Sequence, residues 1–156
     1  PKYFHKTVGG NFRLDALQAA IVRTKLPYLN DWLLARRERA DRYASLFADA
    51  SVTKHDVVLP SLPANHLHSY HQYVVRVPKR DELRAHLNAQ EIGTGIYYPV
   101  PLHLQECFSH LNYPVGALPH AEAAAAHTLA LPMYPELTEQ QQARVVSAIA
   151  DHVKSA

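Results

Sequence analysis

The chain has 156 residues, 47% of them hydrophobic, which is enough for one domain with a single buried core. Its 16 lysines and arginines nearly balance its 14 aspartates and glutamates, so the net charge of +2 gives no reason to expect a nucleic acid or a membrane as a partner. The single cysteine excludes an internal disulfide, and the lack of a signal peptide or a long apolar run favours a cytoplasmic protein.

The first pattern along the chain is a Gly9-Gly10-Asn11 turn that leads directly into an amphipathic helix. Apolar residues recur at helical spacing over residues 14–25, and Asp15 places a carboxylate in the first turn. Glycines allow close approach to the backbone, and a helix N-terminus presents unpaired N–H groups, so this junction suits a phosphate. Taken alone, such a junction is more often a plain turn and helix cap.

A second, longer amphipathic helix is predicted over residues 29–48, after Pro27 interrupts the first. Residues 50–68 contain prolines and little periodicity, which predicts a connecting loop with one short strand at residues 56–59. The two helices therefore precede the main strand signals of the sequence.

Strand and helix signals alternate in the next part of the chain. Residues 70–77 alternate as a strand does, residues 79–90 have helical spacing, and residues 92–98 are predicted to form a second strand that Pro99 ends. We expect both strands in one small sheet, with the helix packed on it. Residues 103–110 are predicted to form one or two helical turns.

The C-terminal part of the chain is predicted to be helical. An alanine-rich helix covers residues 118–129 and is closed by Leu131-Pro132. Thr138 and Gln141 are three residues apart and resemble a capping box that opens a last helix reaching about residue 153. The pattern as a whole predicts an α+β (α/β) fold in which a small antiparallel or mixed sheet packs with helices.

Two groups of residues carry possible chemistry. Tyr97, Tyr98 and His103 flank a Pro99–Pro101 turn whose fixed φ angles would hold them rigidly at a strand end, which suits the mouth of a ligand site. Alternatively, the tyrosines only pack the sheet. The histidines at positions 66, 68 and 71 invite a metal interpretation, but on an extended strand the first two point one way and the third the other.

Four segments of the sequence, in this order, resemble successive segments of the DegT/StrS family of sugar-nucleotide aminotransferases. They are GGNFRLDALQAA (residues 9–20), SYHQYVVR (69–76), IGTGIYYPVPLHLQ (92–105) and LPMYPELTE (131–139). The resemblance runs from residue 2 to about residue 149 but covers only the C-terminal part of the family's usual polypeptide. It implies the small C-terminal domain of a fold-type I aminotransferase at residues 50–156. Residues 1–49 would form the tail of the large domain and long interdomain helices, and the N-terminal cofactor-binding domain would be absent.

The resemblance also implies an activity. Family members are pyridoxal-phosphate enzymes that transfer an amino group, usually from glutamate, to a keto-sugar attached to a nucleoside diphosphate. The lysine that binds the cofactor as a Schiff base lies upstream in the family, so we expect no catalytic residue, no bound cofactor and no activity in this chain by itself. The implied partners are its own N-terminal domain, a homodimer partner, the nucleotide sugar and glutamate.

Individual site residues follow from the same resemblance. Asn11 is expected to reach across a dimer interface to the cofactor phosphate of the neighbouring subunit, since its amide can donate to a phosphate oxygen. Tyr97, Tyr98 and His103 are expected to line the substrate entrance, with His71 facing the cleft. Many members carry histidine where this chain has Tyr97, which leaves the sugar contact open. Two other hypotheses are a stand-alone dimerising or regulatory module without catalysis, and a His-rich metal-binding module.

Overall fold

The structure is a computed structural model that describes residues 2–52 and 56–155. Within these residues the α-helices and strands are α1 (Ala16–Lys25), α2 (Leu29–Asp49), β1 (Tyr73–Arg76), α3 (Arg80–Ala89), α4 (Pro119–His127), β2 (Thr128–Leu131) and α5 (Glu139–Ser155). Short 3-10 helices occupy Leu26–Tyr28, Leu102–Leu104 and Glu106–Leu111. None of the helices in the described ranges combines the length and apolar composition that crossing a bilayer requires.

The first helix begins two residues later than its apolar pattern predicts. The Asp15 carboxylate accepts a hydrogen bond from the N–H of Gln18 (2.8 Å), so Asp15 is the N-cap and not a first-turn residue. The Gly9–Asn11 turn is therefore not joined directly to the helix, because residues 12–15 lie between Asn11 and Ala16. The helix N-terminus already carries the Asp15 carboxylate, which removes it as a phosphate site.

The other predicted helices are confirmed, with small changes at their ends. Residues 29–48 and 79–90 correspond to α2 and α3, and the turns predicted over 103–110 are the two later 3-10 helices. The capping box is also confirmed: Thr138 Oγ1 accepts from the N–H of Gln141 (3.2 Å), and Gln141 Oε1 accepts from the N–H of Thr138 (2.9 Å).

One hydrophobic core joins the second half of α2 to the sheet, α3 and α5. Its fully buried members include Tyr43, Phe47, Leu83, Leu87, Leu129 and Ile149. The Tyr43 hydroxyl donates to Pro132 O (3.0 Å), and burial raises the pKa of this phenol. A buried glutamine, Gln142, ties α5 to α2 by donating from Nε2 to Arg39 O (2.8 Å). Helix α2 therefore continues into the same core as residues 56–155.

The sheet differs from the predicted one. Strand β1 pairs antiparallel with β2, in a register that runs from Tyr73 opposite Leu131 to Arg76 opposite Thr128. The predicted strand over residues 92–98 is wrong, because only Gly95 pairs with β2, through Ala130. The predicted strand at residues 56–59 is likewise reduced to a single bridge, between Val58 and Arg76.

The second strand lies where the sequence predicts the end of a helix. Helix α4 stops at His127, and Thr128 caps it by donating from Oγ1 to Ala124 O (2.7 Å). Residues 129–131 are all buried, so this strand has no polar and apolar alternation by which to recognise it. Prolines at 99 and 101 and glycines at 93 and 95 explain why residues 92–98 do not form a regular strand.

The N-terminal part of the chain contrasts with this core. Helix α1 contributes no buried residue. Its apolar side chains are more than half exposed, at Leu17, Ile21 and Val22, and so are Leu14 and Leu26 on either side of it. An apolar helix face of this kind is typical of a surface that another protein surface covers.

Candidate functional site

The Pro99–Pro101 turn lies beside three tyrosines. The rings of Tyr97 and Tyr98 stand nearly perpendicular, with centroids 6.0 Å apart, and the peptide bond between them is cis. The ring of Tyr3 packs edge-to-face on both, at 5.9 Å from Tyr97 and 5.1 Å from Tyr98. We call these three residues the tyrosine cluster. It joins two parts of the chain that are more than 90 residues apart.

Gly95 fixes where the Tyr97 ring lies. A Cβ atom built on Gly95 would be 2.6 Å from Tyr97 Cε2, so the ring packs directly on the glycine backbone. The same glycine exchanges both backbone hydrogen bonds with Ala130, at 3.0 and 2.7 Å. The sheet edge therefore positions Tyr97 through a residue that has no side chain.

Tyr97 lines two open pockets, as do Thr94 and Gly95. The first, of about 300 Å³, is lined by His71, Gly93, Tyr97 and Met133, and we call it the sheet pocket. The second, of about 530 Å³, is lined by the tyrosine-cluster residues Tyr3 and Tyr97 together with Lys2, Arg80, Asp81 and Arg84, and we call it the basic pocket. The structure thus brings His71 and Tyr97 together, as predicted residues of one site.

The basic pocket carries more positive than negative charge. The Arg80 side chain is buried and already bonded, through Nε to Asp81 (2.7 Å) and through Nη1 to Ala125 O and Thr128 O (3.1 and 3.0 Å). Lys2 and Arg84 form no ion pair with any described residue, although the Lys2 ammonium lies 4.9 Å from the Tyr3 ring centroid. These two cations remain available to an anionic ligand.

His103 lies apart from both pockets. Its side chain is buried, and Nε2 is 3.1 Å from Glu122 Oε1. Glu122 also accepts from the backbone N–H groups of Gly116 (2.8 and 2.9 Å) and Leu118 (3.2 Å). These bonds, first of all the one from Gly116, hold the pKa of the Glu122 carboxyl below its ordinary value. His103 is thus held by the Glu122 carboxylate, and neither His103 nor Tyr98 lines the sheet pocket or the basic pocket.

Sequence reasoning did not find Glu122. A glutamate in the first turn of an alanine-rich helix is usually explained by the helix dipole alone, so the sequence gives no separate signal for its contact with His103. Thr94 was also missed. Its Oγ1 is buried without a hydrogen-bond partner in the described structure, and the residue lines both pockets.

Asn11 is exposed and lies away from these pockets. Its Oδ1 accepts a hydrogen bond from the N–H of Arg13 (3.1 Å), which closes a small turn. Its Nδ2 donates to no residue of the described ranges, so it is free to donate to a phosphate oxygen. Asn11 therefore fits a contact to a phosphate that approaches from outside this chain.

The three histidines do not form a metal site in the described residues. His66 Nδ1 lies 3.1 Å from Ala64 O, and His68 Nδ1 accepts from the N–H of Tyr70 (2.9 Å). No three His, Cys, Asp or Glu side chains converge anywhere in residues 2–52 and 56–155. The structure gives no support to a metal-binding module.

Comparisons with known proteins agree on one family. Residues 1–150 match the family model described as DegT/DnrJ/EryC1/StrS aminotransferase family. The chain is 49% identical over 97% of its length to a pleiotropic regulatory protein of Geobacillus stearothermophilus, and 39% identical over 96% to a dTDP-3-amino-3,4,6-trideoxy-alpha-D-glucose transaminase of Streptomyces venezuelae. It spans 40% and 38% of these two proteins.

One solved structure resembles this chain over nearly its whole length. The crystal structure of DesV from Streptomyces venezuelae matches 99% of this chain with a TM-score of 0.83 and 38% identity. The chain covers 40% of DesV. The expected fold, a C-terminal segment of a fold-type I aminotransferase, is confirmed.

Proposed function

Because the chain belongs to the DegT/DnrJ/EryC1/StrS aminotransferase family, we propose that it forms the C-terminal part of an enzyme that transfers an amino group to a keto-sugar carried by a nucleoside diphosphate. Glutamate would be the amino donor, and the enzyme would act in the cytoplasm in sugar or polysaccharide biosynthesis. In this proposal residues 1–49 connect to a larger domain and residues 50–156 form the small one, with the second half of α2 packed into the core of the small domain. The chain spans about 40% of each relative, which leaves room for the larger domain.

The observation that carries this proposal is that Tyr97 lines both the basic pocket and the sheet pocket, which differ in their charge. The basic pocket offers Lys2 and Arg84, which suit the diphosphate of a nucleotide sugar. The sheet pocket offers His71 beside Tyr97, which suits the hydroxyl groups of the sugar. Tyr98 supports Tyr97 from the side, and His103 contributes by holding the far end of the turn through Glu122.

Pyridoxal phosphate is the cofactor of this family. When bound, it would supply the electron sink through which the amino group is exchanged. This chain would contribute a phosphate contact, in which the free Nδ2 of Asn11 donates to a phosphate oxygen of the cofactor in the neighbouring subunit. We propose that this chain alone holds no cofactor and is inactive.

The partners would meet the exposed apolar face of α1. Leu17, Ile21 and Val22 are between 52% and 73% exposed, more than a helix of a stable domain usually leaves uncovered. We propose that the enzyme's N-terminal domain and the second subunit of a homodimer cover this face. The same exposure favours a second candidate, a dimerising or regulatory module that acts without catalysis.

A subunit-mixing experiment tests the proposal. One full-length subunit carries Asn11→Ala and the other lacks the catalytic lysine, and each parent dimer is inactive when the cofactor is limiting. If Asn11 acts across the dimer, both lesions fall in one heterodimer site and the other site is intact, so the mixture regains activity with a nucleotide keto-sugar and glutamate. Heterodimers that form but stay inactive contradict the trans contact. Absence of transamination by the unaltered enzyme leaves the dimerising module as the better candidate.

A further inference from the structure

The segment before α1 is attached to the rest of the chain by few polar contacts. Within the described ranges, three hydrogen bonds join residues 2–14 to residues beyond 15, and each ends at Tyr3 or His5. The side chain of Gln105 makes two of them, and the backbone N–H of Cys107 makes the third, to His5 O (3.1 Å). A single glutamine therefore supplies most of the polar attachment of this segment.

Both polar atoms of the Gln105 side-chain amide form hydrogen bonds. Its Nε2 donates to Tyr3 O (2.9 Å) and, at a longer distance, to Val100 O (3.5 Å), while its Oε1 accepts from the N–H of His5 (3.0 Å). Gln105 is only 5% exposed, and its loss would remove the protein partners of Tyr3 O and of the His5 N–H. Neither an apolar side chain nor a simple acceptor can replace both functions.

The attached segment carries part of the basic pocket. Lys2 and Tyr3 line it, and Tyr3 packs edge-to-face on Tyr97 and Tyr98. Gln105 lines neither pocket, so any effect it has on a ligand passes through these residues. We infer that Gln105 is a positioning residue, which holds Lys2 and Tyr3 against the Pro99–Pro101 turn and thereby sets the wall that receives the diphosphate. The hydrogen bonds by which Gln105 holds Tyr3 and His5 do not depend on a ligand, whereas the identity of the ligand rests on the proposed function.

Two buried glutamines make a matched pair of variants. Gln105→Met keeps the unbranched shape and approximate volume but removes the donor and the acceptor. Gln142→Met makes the same change at a glutamine with 0% exposure, whose hydrogen bond to Arg39 O ties α5 to α2 far from residues 2–6. Gln105→Glu keeps the acceptor for His5 but cannot donate to Tyr3 O.

Amide hydrogen exchange of the 156-residue chain tests the geometry without any ligand. The Gln105→Met variant should speed exchange at residues 2–7 by about tenfold, since the N–H of His5 loses its acceptor, with little extra exchange in α2 and α5. Gln142→Met should show the opposite pattern. Unchanged exchange at residues 2–7 in Gln105→Met overturns the inference. If that variant does not fold, Gln105→Glu should leave the His5 amide slow while residues 2–4 become more accessible to protease, and unchanged protease sensitivity overturns it.

Steady-state kinetics of the full-length enzyme test the effect on the ligand. Gln105→Met should raise KM for the nucleotide keto-sugar and weaken competitive inhibition by inorganic pyrophosphate, each about tenfold, while the half-reaction with glutamate stays the same. Gln142→Met should change neither constant. Faster exchange at residues 2–7 without a change in KM or in pyrophosphate inhibition overturns the positioning role. If the unaltered enzyme does not use nucleotide sugars, the proposed function fails and the exchange result still decides whether Gln105 attaches the segment.

Discussion

Residues 2–28 and the body of the chain differ in how much of their apolar surface they bury. The body, from the second half of α2 to α5, closes its own core, in which Tyr43, Leu87 and Ile149 have no exposed surface. The N-terminal part leaves its apolar side chains open, and Phe12 is 92% exposed. The body is therefore stabilised by contacts within the chain, whereas residues 2–28 leave most of their apolar surface uncovered. Asn11, the residue predicted to contact the cofactor phosphate, lies within residues 2–28.

Two leucines on helices give the sharpest contrast. Leu87→Ala in α3 should lower the free energy of unfolding by about 2 to 5 kcal/mol, because it opens a cavity in a closed core. Leu17→Ala in α1, where the side chain is 73% exposed, should cost less than about 0.5 kcal/mol in the 156-residue chain. Urea unfolding measures both. Equal losses would mean that α1 is packed in the isolated chain and would remove the contrast.

Asn11 should matter to the cofactor and not to the fold. In the full-length enzyme, Asn11→Ala should weaken retention of pyridoxal phosphate roughly tenfold to a hundredfold, because a charge-assisted hydrogen bond contributes about 1.5 to 3 kcal/mol. Equilibrium dialysis against the cofactor measures this. Asn88→Ala, at an exposed position of α3, is the control and should retain the cofactor normally. Loss of cofactor in both variants would indicate general damage instead of a phosphate contact.

The two helix caps extend the comparison to the ends of helices. Thr138→Ala should lower the free energy of unfolding by about 1 kcal/mol, because α5 is part of the core and loses its capping box. Asp15→Ala removes the equivalent bond from α1 and should only fray that helix, leaving the main urea transition in place. Hydrogen exchange of α1 then reports the fraying. A full loss of about 1 kcal/mol from Asp15→Ala would show that α1 unfolds together with the core.

The smallest expected effect is a change in pH dependence at the contact between α3 and α5. The His152 ring lies 5.0 Å from that of His86, and burial, followed by the charge of His86, lowers the pKa of His152. Lys79 lowers this pKa further and Glu82 opposes the shift. The unfolded chain therefore binds the proton more readily, so stability falls as the pH drops through about 6.5, the ordinary histidine value.

His152→Gln should make the decrease in stability between pH 7.5 and pH 5.5 shallower, by less than any other change described above because the site is near the surface. Urea midpoints at the two pH values measure the difference. An identical decrease in the variant would show that His152 does not contribute to this dependence.

Local signals made the helices predictable from the sequence. Two signals act within a few residues: the apolar spacing of α2 and α3, and the pairing of Thr138 with Gln141. They can therefore be recognised without the tertiary structure. Strand β2 was hidden because its residues are buried on both faces and follow an alanine-rich helix. For the candidate site, the family resemblance named Tyr97 and His71, and the structure places both in the lining of the sheet pocket.

Other parts of the site depend on contacts between distant residues. Gln105 bonds to Tyr3 and His5 across about 100 positions, and the burial of His103 depends on a glutamate 19 residues away. Neither partner can be read from spacing in the sequence. The roles of all five predicted site residues remain predictions, those of Asn11, His71, Tyr97, Tyr98 and His103.

One continuous piece of backbone pins both ends of the Pro99–Pro101 turn. Helix α4 passes into β2 without an intervening loop residue, so Glu122 and Ala130 lie on one continuous segment of regular structure. Ala130 fixes Gly95 at one end of the turn, and Glu122 holds His103 near the other. The distance between Gly95 and His103 is therefore fixed by their contacts with Ala130 and Glu122 and not by the residues of the turn. Residues inserted between positions 96 and 102 would have to bulge outward from these two contacts, so changes in the length of this segment would alter the surface around Tyr97 and Tyr98 without disturbing the core.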